Sequence, residues 1–91
     1  MDETTSHDQH TVERVRATVA VLALERGEKA EFSEHELVAR VGLKPLRVGW
    51  ALEQLRREGL VEEHGVTAEH ELVWLVTEAG QQYAVAHGPR Q

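Results

Sequence analysis

The pattern of apolar and polar positions is clearest from Pro45 to Leu60, PLRVGWALEQLRREGL, which reads as one helix followed by the start of a strand. Val48, Ala51, Leu52 and Leu55 recur at helical spacing and form one apolar stripe, while Arg47, Trp50, Glu53, Gln54 and Arg57 fall on the other side. Pro45 suits a first helical position, where a fixed φ fits and a missing N–H costs nothing. Gly59 marks the far end. Just upstream, Ser33-Glu34-His35-Glu36 has the form of a capping box, and Leu37, Val38 and Val41 follow at helical spacing until Gly42. Helix 2 therefore runs from about Glu34 to Val41, and only Gly42 to Lys44 separates it from the next helix. Such an arrangement is a helix-turn-helix.

The same reading extends to both sides. Val12, Val15, Val19 and Leu22 make one stripe over a first helix, Thr11 to Arg26, stopped by Gly27. The second half of that helix is apolar nearly all round, and Ala17, Ala20, Val21 and Leu24 lie opposite the stripe. A lone chain leaves them wet unless the last helix or a second copy covers them, and a homodimer through helix 1 is expected. Glu31-Phe32 is a candidate short strand before helix 2. A hairpin follows from Leu60 to about Gly65 and from about Glu71 to Val76, with its tip near Val66 to His70 and Gly65 as a bulge or part of the turn. Leu72, Trp74 and Val76 share one face of the last strand. A fourth helix, Glu78 to about His87, presents a thin stripe of Ala79, Tyr83 and Ala86.

The predicted class is thus mainly α with a small β-hairpin, in the order α-α-α-β-β-α with a short strand before helix 2. Residues 1–10 have no apolar side chain after Met1 and read as a disordered arm, 11–87 as one domain and 88–91 as a tail.

Composition narrows the function. With no cysteine among 91 residues, neither a disulfide framework nor a thiolate zinc site is available. No apolar run approaches the roughly 20 residues of a membrane span, and the acidic N-terminus is unlike a signal peptide, so a cytoplasmic protein is expected. There is no Gly-rich phosphate loop and no nucleophile elbow, and capping accounts for two of the three positions Glu34, His35 and Glu36; no enzyme and no cofactor is expected. His64 and His70 flank the hairpin tip among carboxylates, yet two histidines on a hairpin are a weak metal signal, and no metal site is assigned.

The pattern V-x-x-A-L-x-x-L-x-x-x-G-L-V, carried by Val48, Ala51, Leu52, Leu55, Gly59, Leu60 and Val61 and followed by Thr77-Glu78-Ala79-Gly80, resembles the winged helix-turn-helix family of small regulators, of the MarR and PadR kind. The resemblance covers about Thr11 to Tyr83. It implies sequence-specific binding of double-stranded DNA, with helix 3 in the major groove and the hairpin as a wing, and it places Trp74 in the core. Candidate DNA-binding residues are Lys44, Arg47, Trp50, Gln54 and Arg57: Arg47 for guanine or a phosphate, Gln54 for adenine, Lys44 and Arg57 for the backbone. A dimer presents two such helices to a palindromic site with half-sites about one helical turn apart.

Charge cuts both ways. The chain carries a formal net charge of −6, while Lys44 to Glu58 holds four basic residues against two acids. From Val61 to Glu78 there are five glutamates and no Lys or Arg, which opposes a wing laid on phosphate. Leu46 and Trp50 lie one turn apart on the outward side of helix 3, and apolar groups beside an arginine are what protein interfaces use. The alternative reading is therefore a winged helix used as a protein-interaction module, with Leu46, Trp50 and Arg47 as anchors and an acidic wing facing a basic partner.

Overall fold

Left-handed glycines set the element boundaries. Gly42 (φ 75°) ends α2 (Glu34–Val41) and returns its N–H to the carbonyl of Val38, and Gly59 (φ 80°) turns the chain from α3 (Pro45–Arg57) into β2 (Val61–Val66). A side chain at either φ would be strained. The computed structural model describes residues 3–88 and completes the order with α1 (Glu3–Arg26), β1 (Glu31–Ser33), β3 (Leu72–Val76) and α4 (Glu78–His87). The strands form one antiparallel sheet in the order β1-β3-β2. This is the expected α-α-α-β-β-α plan with its short extra strand.

Two boundaries differ from the sequence reading. Helix α1 starts at Glu3 rather than Thr11, so the expected arm is helical over 3–10; its first two residues and 89–91 of the expected tail lie outside the described residues. The stretch 3–10 contains no Gly or Pro to interrupt a helix. The hairpin strands run to Val66 and from Leu72. Register shifts between Glu63 and Gly65, so Gly65 belongs to a bulge and the turn begins at Thr67.

The core is aliphatic. Val15, Leu22, Leu37, Val48, Leu52, Leu55 and Val61 are fully buried, which puts the predicted stripes of α1 and α3 face to face. Trp74 is 3% exposed, and its indole Nε1 donates to Glu34 Oε1 at 3.0 Å. Val76 is buried beside it, whereas Leu72, on the same face but nearer the hairpin tip, is exposed. Helix α1 is tied to its neighbours by arginines: Arg16 donates to both carboxylate oxygens of Glu58 (2.7 and 2.8 Å), Arg40 to Glu25 (3.0 Å), and Arg26 to Glu36. The Arg26 guanidinium lowers the pKa of Glu36 below the usual carboxylate value, against a smaller opposing effect of burial. Ser33 accepts from the Glu36 N–H at 3.0 Å, as the capping box requires.

Helix α4 packs on α1 and buries Gly80 and Ala84, with Gly80 against the α3–β2 junction; of the predicted Ala79, Tyr83 and Ala86, Tyr83 packs on the core while Ala79 and Ala86 are exposed. The reason lies at its first turn. Thr77 caps Gly80 N–H through Oγ1 at 3.0 Å, donates that hydroxyl to the Gly59 carbonyl at 2.5 Å, and donates its N–H to the Leu60 carbonyl at 3.0 Å. These bonds press the helix so close to the α3–β2 junction that a Cβ on Gly80 would stand 2.2 Å from Leu60 O and 2.7 Å from Val76 Cγ1. Gly80→Ala should therefore destabilise the fold by about 1–3 kcal/mol in a urea titration; unchanged stability would show that α4 can shift outward at no cost.

Candidate nucleic-acid interface

The helix-turn-helix presents α3 along one side of the molecule. At about 100° per residue, Leu46, Trp50, Glu53 and Arg57 stand opposite the buried stripe, Gln54 and Glu58 turn toward α1, and Pro45 and Gly49 turn toward α2. Accessibility follows that wheel: Leu46 is 87% and Trp50 48% exposed. Together with Thr11, Glu34, Pro45, Arg47 and Gly49 they line an open concavity of about 770 Å³ at the start of the helix.

The cations divide into two sets. Arg16, Arg26, Arg40 and Arg56 are held by Glu58, Glu36, Glu25 and Glu53. Arg56 also lowers the pKa of the Glu53 carboxyl, the attraction of Arg57 adding to it. The side chains of Lys44 and Arg47, by contrast, are exposed and make no hydrogen bond or ion pair among the described residues. Of the other cations whose side chains lack such bonds, Arg14 lies on α1, Lys29 in the turn after it and Arg57 at the far end of α3. Lys44 is the N-cap of α3 and offers no acceptor to the first turn, which also contains no acid. Free backbone N–H groups and the positive dipole end thus reinforce two unpaired cations at one place, a local arrangement that suits phosphate or an electronegative base edge. A surface charge beyond about 8–10 Å is screened, so the net −6 does not cancel it.

Of the candidate residues, Lys44, Arg47 and Trp50 come together at the N-terminal half of α3. Arg57 stands apart, about three turns along. Gln54 is half-buried and donates from Nε2 to Glu58 Oε2 at 3.2 Å, which joins it to the Arg16 pair on the α1 side. The wing glutamates Glu62, Glu63 and Glu69 are exposed and Glu71 is half-buried. His64 Nε2 lies 3.5 Å from Glu31 Oε2, and among the described residues no group of three or more potential ligands could hold a metal ion.

Two residues at the concavity were not singled out from the sequence. Glu34 serves as the acceptor for Trp74, an assignment that needs the β3–α2 contact. Gly49 did leave a signal, a glycine within the apolar-polar pattern of a helix.

No protein-family model and no curated protein matches the sequence. Solved structures do match in three dimensions. ZitR of Lactococcus lactis, a zinc-responsive MarR family member, aligns with a TM-score of 0.65 at 20% identity, over 81% of this chain and 49% of its own. NMB1585, a MarR family regulator from Neisseria meningitidis, gives 0.62 at 22% identity, over 80% and 49%. MepR of S. aureus, solved with DNA, gives 0.68 at 13% identity, over 92% and 69%. The fold is the MarR-type winged helix. The chain spans about half the length of ZitR and NMB1585, and at these identities the likeness is one of architecture.

The two tryptophans of this winged helix should separate cleanly. Trp74→Ala is expected to cost about 3–5 kcal/mol by denaturant unfolding. Trp50→Ala, half exposed, should leave the fold within about 1 kcal/mol of wild type, and a collapse of that variant would make Trp50 a core residue instead.

Proposed function

We propose that this chain binds double-stranded DNA as a transcription regulator, with the N-terminal half of α3 in the major groove. The observation that carries the reading is the unpaired Lys44 and Arg47 at a helix start without acids, in a protein that ties four other arginines to carboxylates. Arg47 reaches base edges, Lys44 and Arg57 meet phosphates, and Trp50 packs against the base edges. Gln54, held by Glu58, contributes to readout only by exchanging that partner for a base. MepR, which shares the fold, was solved with DNA. No helix among the described residues is long and apolar enough to cross a membrane, and a cytoplasmic place agrees with a DNA-bound role. The reading assigns no catalytic activity and no cofactor.

A homodimer through α1 belongs to the same proposal. Helix α4 covers Ala20 and Ala23, yet Ala17, Leu24 and, on α4, Val85 remain exposed, the last two at 44% and 78%. A second copy buries them and doubles the DNA contacts. One observation favours a second reading, the protein-interaction module: Leu46 and Trp50 are large exposed apolar groups beside an arginine, and the acidic wing suits a basic partner.

Anisotropy of a labelled duplex separates the readings. With two phosphate contacts per protomer, affinity should fall about twelvefold per protomer between about 50 and 200 mM salt, and Arg47→Ala should cost about 1–3 kcal/mol. No binding at the lower salt would reject DNA in favour of the interaction module. For the dimer, wild type should sediment as a pair and Leu24→Glu as a folded monomer. A monomeric wild type removes the pairing and leaves α4 as the sole cover of α1.

A further inference from the structure

Gly49 sits in the middle of α3, where glycine is among the least favourable residues, and nothing inside the molecule requires it. Its φ is not in the left-handed region, and a Cβ built on it would meet a single heavy atom, Glu34 Oε2, at an ordinary 3.5 Å. The next candidate reason for a glycine is space on the outside. Leu46 lies three residues before it and Trp50 follows it, so the missing side chain leaves a notch with a backbone floor, one wall of Leu46 and one of Trp50, opening into the concavity that Pro45 and Arg47 also line.

Resting on the DNA-binding reading, we infer that the notch at Gly49, between Leu46 and Trp50, receives the C5-methyl group of a thymine in the major groove. That methyl is the one apolar group on the major-groove edges of the base pairs. It is small enough for a site opened by one absent side chain, and the two walls made by Leu46 and Trp50 are apolar. The Glu34 carboxylate, whose Oε2 stands 3.5 Å from where a Cβ would be, edges the notch on the α2 side and disfavours a phosphate there, so a neutral base edge fits where the DNA backbone does not. Arg47, free and next to Leu46, reaches the neighbouring base pair while the notch holds the methyl.

The experiment selects bound sites from a random duplex pool, then compares thymine with uracil, and cytosine with 5-methylcytosine, position by position. At one thymine, uracil should weaken binding roughly fourfold, the effect of one buried methyl. Gly49→Ala fills the notch; it should raise Tm by about 4–8 °C and abolish the thymine–uracil difference at that position, and Leu46→Ala should abolish it too. A variant that is more stable yet blind to the methyl is not what a structural glycine gives. A lowered Tm for Gly49→Ala, equal discrimination by wild type and variant, or indifference to the methyl at every position each overturns the inference. So does a methyl effect confined to the cytosine pair, which would assign the notch to methylated cytosine. Failure to bind any duplex rejects the DNA-binding reading with it, whereas binding without methyl dependence rejects this inference alone.

Discussion

The close approach of α4 to the α3–β2 junction is the constraint on which the rest depends. Thr77 bonds to both Gly59 and Leu60, and Gly80 lets the helix backbone come down on the Leu60 carbonyl. These contacts fix where α3 ends and where β3 returns, and hence the angle between the helix-turn-helix and the wing. They also explain why a threonine, a glycine three residues later and a Gly-Leu pair about seventeen residues earlier occur in one chain. Each removes an obstacle or supplies a partner at the same point.

From that junction the electrostatics of the surface follow. Once α1, α2 and α3 are packed, arginines on the flanks find carboxylates across helix boundaries: Arg16 with Glu58, Arg26 with Glu36, Arg40 with Glu25. The start of α3 projects away from those neighbours, so Lys44 and Arg47 stay unpaired. A chain that is acidic overall thereby keeps one cationic spot, backed by helix N–H groups, next to its most exposed leucine. The wing, with its exposed glutamates, is a poor surface for phosphate, which concentrates any contact with DNA on α3 and sets this chain's proposed mode apart from one shared with a basic wing.

Much of the architecture was legible because it is local. The stripes of α1 and α3, the cap at Ser33, and the glycine stops at Gly42 and Gly59 depend on residues within one or two turns of each other, so periodicity and capping rules reach them. The candidate cations Lys44, Arg47 and Arg57 were legible in the same way, as exposed positions opposite a stripe. What escaped was the buried side of α4, because Ala79, Tyr83 and Ala86 fit a helical period as well as Gly80, Tyr83 and Ala84 do. Only the docking on Leu60 selects between them.

The sequence by itself determined the element order, the aliphatic core and the face of α3 that turns outward, since hydrophobic period and turn chemistry act at short range. Tertiary structure decided which charges are spent and which are free, because pairing of Arg16 with Glu58 or Arg40 with Glu25 joins residues 42 and 15 positions apart. It also decided that Gln54 leans on Glu58, that Glu34 holds Trp74, and that Gly49 comes to lie beside the Glu34 carboxylate of α2. Those outcomes are set by which surfaces meet, and no spacing along the chain encodes the meeting.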